Sequence, residues 1–143
     1  REQIRTGELQ GPTIYTSGPK IEGKGSIWPG DLEVADETEL RAAFDKLQAL
    51  HVDFVKITDN ALSPQLFMAA LAEAERRGMK TSAHVPMALM LDDVSAAGLD
   101  SIEHMGYALK AGSPRERELA EASAAGRMRD MRMCSVSTAA RLL

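Results

Sequence analysis

The sequence predicts an α/β protein built around a parallel sheet. Short β-type runs alternate with longer helical patterns along the chain, the arrangement that parallel strands joined by helical crossovers require. Cap and turn residues mark most of the boundaries. No Gly-x-Gly-x-x-Gly or phosphate-loop pattern follows any strand, which disfavours a nucleotide-binding version. Right-handed units of this kind build either an open doubly wound sheet or part of a (β/α)8 barrel.

Each element has its own signal. The first predicted strand is Thr13-Ile14-Tyr15-Thr16, between Gly11-Pro12 and Ser17-Gly18-Pro19. The Gly-, Pro- and Lys-rich stretch from Gly18 to Gly30 reads as a long loop, with Trp28-Pro29-Gly30 as a turn. Asp36 with Glu39 makes a capping-box pattern, and Leu40, Ala43, Phe44, Leu47 and Leu50 form one apolar stripe of a helix. Asp53 to Thr58 reads as a strand. Ser63-Pro64 is an N-cap followed by proline at the first helical position, and Phe67, Ala70, Leu71 and Ala74 continue that helix to a stop at Gly78. Thr81 to Val85 is the next strand, ended by Pro86. A short helix from Leu91 to Ala97 stops at Gly98, and Ser101-Ile102-Glu103-His104 is a fourth strand. Ser113-Pro114-Arg115-Glu116 opens a further helix. Residues 126–143 read equally as a seventh barrel strand or a helical insertion.

Composition bounds the function. At 143 residues, 44% hydrophobic and 27% charged, the chain suits one soluble globular domain rather than a disordered or fibrous one. No apolar run reaches the ~20 residues that span a bilayer. A net charge of −4 with scattered Lys and Arg argues against electrostatic nucleic-acid binding. The single cysteine, Cys134, excludes an internal disulfide framework and a thiolate metal site. The chain opens at Arg1 with no initiator Met or targeting segment, so its N-terminus reads as truncated and its compartment is open.

Three residues stand out because each falls at the C-terminal end of a predicted parallel strand, the edge where α/β folds bind ligands: Lys56, His84 and His104. Strand parity sets Val55 and Ile57 on one face and Lys56 on the other, and Ser82 and His84 share a face in the same way. Lysine and two histidines on one rim make a metal constellation if the lysine becomes an anion. A carbamate formed from CO₂ can bridge two divalent ions, and neutral imidazoles suit Zn²⁺. Taken singly, a strand lysine is usually a solvated rim residue and a strand-end histidine a hydrogen-bonded structural one. His51, at a helix end, suits the macrodipole, and Met79, Met87 and Met90 read as packing. Parity places Glu103 opposite Ile102 and His104, so it lies past the strand end or is held by a partner.

At Gly7–Pro12, Thr16–Gly18, Val52–Ile57, Glu73–Gly78, Ser82–Pro86 and Ala97–His104 the chain resembles the amidohydrolase superfamily, in particular its imidazolonepropionase- and prolidase-like metal-dependent hydrolases. The stretches come in the family's order. The resemblance implies a partial (β/α)8 barrel, roughly strands three to six with their helices, with the run at Ile14 as strand three. All of 1–143 would then be a fragment of the catalytic domain. It also implies that Lys56 is the carboxylated lysine bridging two Zn²⁺ ions, and that His84 and His104 bind one of them. The reaction would be hydrolysis of an amide, peptide or cyclic-amide C–N bond in a small-molecule or peptide substrate.

The departures are as informative. The family's first-strand His-x-His pair and its eighth-strand aspartate, the general base, have no counterpart here, so no catalytic base is expected within the chain and the chain alone is expected to be inactive. Met105 stands where many members carry Gly. Two other readings stay open. Lys56 could serve a Schiff-base lyase as amine nucleophile, or the chain could be a non-catalytic half-barrel. The open strand edges of a half-barrel predict a homo-oligomer.

Overall fold

The structure, a computed structural model, describes residues 1–126. The alternatives for residues 126–143 concern residues almost all outside that range. A short helix α1 (Glu2–Arg5) is followed by strands β1 (Ile21–Gly23) and β2 (Leu32–Val34), helix α2 (Glu37–Ala49), β3 (Val55–Ile57), α3 (Pro64–Arg77), β4 (Thr81–Ala83), α4 (Leu91–Ala96), β5 (Ser101–Ile102), α5 (Met105–Ala111) and α6 (Glu116–Ala124). The five strands form one all-parallel sheet in the order β2-β1-β3-β4-β5.

The two long helices form where their caps predict. Asp36 accepts a hydrogen bond from Glu39 N (2.9 Å), and Glu39 reaches back to accept from Ala35 N (2.9 Å). Leu40, Ala43, Phe44 and Leu47 of α2 are buried, whereas Leu50 lies just past the helix end and is exposed. Ser63 caps α3 through Leu66 N (3.2 Å) with Pro64 as first residue. At its other end Gly78 takes the left-handed conformation (φ 67°), and Met79 N bonds back to Ala74 O in a Schellman closure.

The edge of the sheet corrects the sequence reading. Thr13 to Thr16 forms no strand; Ile14 and Tyr15 are exposed with no apolar surface to cover them. The segment does run beside β3, since Asp53 N donates to Thr16 O (2.9 Å) and Thr16 N to the Asp53 carboxylate (2.7 Å). Of the strands beside β3 and beyond, β1 arises instead within the Gly18–Gly30 stretch expected to be loop, and β2 in the residues just after it, to which no element was assigned. Their connection, 24–31, is short for a parallel pair. Glu33 binds Gly25 N and Ser26 N, Asp31 binds Lys20 and the Ser26 hydroxyl, and Gly30 turns at φ 91°.

Two further boundaries move. The expected strand through His104 ends at Ile102, and α5 occupies the stretch after it, to which the sequence reading assigned no helix. Ser113 and Pro114 form a turn ahead of α6 rather than its cap and first residue, with Ser113 Oγ accepting from Arg115 N (3.2 Å).

The core gathers Ile21, Val34, Val55, Ile57 and Ala83 from the strands with Phe44, Leu47, Phe67, Ala70 and Leu71 from α2 and α3. Arg77 stacks its guanidinium over Phe44 at 5.5 Å while bonding Glu73, Asp45 and Gln48, which ties α2 to α3. Because Val55 and Ile57 face this core, the residue between them, Lys56, faces the opposite side of the sheet. Among the described residues no helix is long and apolar enough to cross a membrane.

Candidate metal centre at the carboxyl edge of the sheet

Parallel strands of similar length end together, so residues at or just beyond their C-terminal ends meet on one rim. Here β3 brings Lys56 and, two residues past its end, Asp59. His84 follows β4 directly, and Glu103 and His104 follow β5. All three residues expected from the sequence therefore arrive at one place, joined by acids that the sequence reading did not assign.

The Nε2 atoms of His84 and His104 lie 3.1 Å apart, with ring centroids at 4.8 Å. Glu103 Oε2 stands 3.6 Å from His84 Nε2 and 2.6 Å from Lys56 Nζ, while Glu103 Oε1 accepts from Ser82 Oγ at 3.0 Å. Glu103 is thus both past the strand end and held by partners. The lysine ammonium is buried and its approach to Glu103 is an ion pair rather than a well-directed hydrogen bond.

The backbone at His104 is strained, with φ 68° and ψ 128°, where a side chain with a Cβ is disfavoured by about 1–3 kcal/mol. That conformation turns the chain sharply out of β5 into α5 and leaves the ring beside His84. Met105, immediately after it, is exposed at the same rim.

Electrostatics keep the imidazole of His84 available as a ligand. Burial pushes its pKa down, and the Lys56 ammonium and His104 push it further, against the opposing pull of Glu103. A lowered pKa favours the neutral ring, in which one nitrogen carries a free lone pair. Burial works to raise the Glu103 carboxyl, but the Lys56 ammonium beside it and the hydrogen bond from Ser82 outweigh it and lower its pKa below the usual carboxylate value. Tyr107 of α5 sits with its ring 6.3 Å from that of His84. Burial, and then the nearby charges of Asp59 and Glu103, keep its phenol protonated well above the usual range.

Two nitrogens and a carboxylate oxygen, one from each of His84, His104 and Glu103, lie within 4.8 Å of one another. Ligand atoms about 2.0–2.1 Å from a tetrahedral Zn²⁺ stand roughly 3.3–3.5 Å from each other. The observed 3.1 and 3.6 Å separations bracket that value. The donor chemistry also fits a borderline divalent ion: neutral imidazole and carboxylate, with no thiolate.

Three residues near the site carried no sequence signal that singled them out. Asp59 Oδ1 lies 3.9 Å from His84 Nδ1, and only its position just past the end of β3 could have pointed to it. Tyr107 lies in α5, a helix that no cap or apolar stripe announced. Glu22, buried in β1, lay in the stretch read as a long loop.

No protein family matches the chain, and no curated protein does. Among solved structures it is similar to a bottromycin amidohydrolase, with a TM-score of 0.65 and 22% sequence identity over 85% of this chain. The chain spans 28% of the length of that protein. At this identity the likeness establishes a shared α/β fold along most of the described residues.

Proposed function

We propose that residues 1–143 are a segment of the catalytic barrel of a metal-dependent amidohydrolase, roughly strands three to six of a (β/α)8 domain. The complete enzyme hydrolyses a C–N bond of a small-molecule or peptide substrate. The observation that carries this reading is the meeting of Lys56, His84, Glu103 and His104 on one rim of a parallel sheet. The structural neighbour, itself an amidohydrolase, supports it.

In this reading His84 and His104 are ligands through Nε2, and a divalent ion supplies Lewis acidity and a nucleophilic water at neutral pH. A binuclear centre, two Zn²⁺ ions in the complete enzyme, needs Lys56 as a carbamate. Carboxylation joins the Nζ nitrogen to the carbon of CO₂ with loss of protons, so a cation beside Glu103 becomes an anion. That change requires Glu103 to leave its present 2.6 Å contact or to be neutralised by metal. Ser82, which already holds the other Glu103 oxygen, is the residue that can retain the displaced carboxylate. The first-strand histidine pair and the general base come from outside these residues, so the segment alone is inactive.

The test is chelation and restoration of the complete barrel, assayed on a panel of amides and dipeptides. Hydrolysis that stops on metal removal and returns with Zn²⁺ is expected. Turnover that survives chelation and is trapped at Lys56 by borohydride would replace the hydrolase with the Schiff-base lyase.

A further inference from the structure

Glu22 is fully buried, yet no cation pairs with it among the described contacts. Its charge is met by N–H groups. Oε1 accepts from Gly23 N (2.8 Å), Ala61 N (3.0 Å) and Leu62 N (3.0 Å), and Oε2 accepts from Asn60 N (3.1 Å) and Asn60 Nδ2 (2.8 Å). Three of these donors are consecutive backbone amides of the loop joining β3 to α3. Turned toward one carboxylate, they fix the conformation of that loop. Gly23 completes the seat. A Cβ there would lie 2.2 Å from the carbonyl carbon and oxygen of Ala61 and 2.5 Å from Leu62 N, so the loop rests directly on the backbone of β1. The residue before the gripped amides is Asp59, whose carboxylate faces the Nδ1 side of the His84 ring.

We infer that Glu22 is a positioning residue: by gripping the amides of Asn60, Ala61 and Leu62 it holds Asp59 behind His84 and so presents the Nε2 lone pair to the rim. At 3.9 Å the Asp59–His84 approach exceeds a direct hydrogen bond. The negative charge still favours the tautomer with its proton on Nδ1, the side facing the carboxylate; Glu103 stands closer, 3.6 Å from Nε2, but its charge is met by the Lys56 ammonium at 2.6 Å, which leaves Nε2 unprotonated toward the rim. Carboxylates behind metal-binding histidines act in this way, and their loss costs ~10–100-fold in metal affinity. The affinity consequence rests on His84 being a metal ligand; the tautomer consequence does not.

The experiment uses the full 143-residue chain and two readouts. Nitrogen-15 chemical shifts of the His84 ring, recorded without metal above its titration range, report the tautomer. Competition with a chromophoric chelator reports Zn²⁺ affinity. The wild type is expected to hold the Nδ1–H tautomer. Glu22→Gln keeps the shape but turns an amide donor toward other donors, and Asp59→Asn removes the charge. Both are expected to mix the tautomers and to weaken Zn²⁺ by ~10-fold or more. Asn60→Ala, which deletes one side-chain bond, is expected to shift the tautomer in the same direction and stands in if Glu22→Gln does not fold. An unchanged His84 tautomer in folded Glu22→Gln or, where that does not fold, in Asn60→Ala overturns the inference. If no variant, nor the wild type, binds Zn²⁺ while the tautomer shifts as expected, the metal reading fails and the positioning role stands.

Discussion

The Lys56–Glu103 pair makes an asymmetric stability prediction. The Lys56 side chain is 12% exposed and that of Glu103 40%, so the ammonium has lost most of its hydration and the carboxylate much less. Two unit charges about 4 Å between centres attract by about 4 kcal/mol at an effective dielectric near 20. Desolvating an ion costs several kcal/mol, so the pair as a whole is close to break-even. Removing its two members is therefore not equivalent. Lys56→Met keeps the volume, buries no charge and leaves Glu103 with Ser82 and solvent; stability should stay within about 1 kcal/mol of wild type or rise. Glu103→Ala strands the buried ammonium. Such breakage typically costs about 3–5 kcal/mol, and the part-open site lowers the expectation to about 2–4 kcal/mol. In the double variant most of that loss should return, as a coupling energy of about 2 kcal/mol. Equilibrium urea unfolding at pH 7 in chelator-treated buffer, with the denaturant slope checked for constancy, measures all three. A Lys56→Met protein as damaged as Glu103→Ala would refute the claim that the pair is poised against desolvation.

Other outcomes are open to direct measurement. Glu73 is bonded by Arg76 and Arg77, which hold its pKa at about 2 against an ordinary 4.5. The unfolded chain thus binds the extra proton between those values, and the contribution of Glu73 to stability, complete above pH 4.5, is lost as pH falls toward 2; Glu73→Gln should flatten that acid limb in pH-dependent unfolding. Phe44→Ala, at a fully buried ring under Arg77, should cost about 3–5 kcal/mol by denaturation, and a loss under 2 kcal/mol would contradict the packing described. Gly78→Ala forces a Cβ into a left-handed cap and should cost about 1 kcal/mol, read as a lower melting temperature. The short strands β2 and β5 end the described sheet, and Ile14, Tyr15, Ile27 and Trp28 are exposed, so sedimentation should find the chain associating with rising concentration; a strict monomer at high concentration would count against self-association.

Much of this architecture was legible because local signals and burial agree. Asp36, Ser63 and Gly78 mark helix ends chemically, and the apolar spacing of Leu40–Leu47 and Phe67–Ala74 matches the face that is buried. Lys56 and His84 could be placed on the rim because strand parity and the C-terminal edge are geometric consequences of a parallel sheet. What escaped was set by tertiary contacts. Ile21-Glu22-Gly23 looks like loop because an acid sits among glycines, and only the amides of a loop 38–40 residues later make that acid burial tolerable. Conversely, Thr13 to Thr16 has β propensity but no apolar surface opposite Ile14 and Tyr15, so propensity alone did not make a strand. The strained turn at His104 is equally invisible locally, since histidine has no preference for that conformation and the surrounding fold imposes it.

The most direct measurement is Zn²⁺ binding by the chain and by its three single histidine variants, His51→Ala, His84→Ala and His104→Ala. His51 lies past the end of α2 and is exposed, which makes it an internal control. The metal reading predicts that the wild type and His51→Ala bind alike, while loss of either His84 or His104 weakens binding at least ~10-fold. Equal affinity in all four proteins, or a loss confined to His51→Ala, would contradict a metal centre at the carboxyl edge of the sheet.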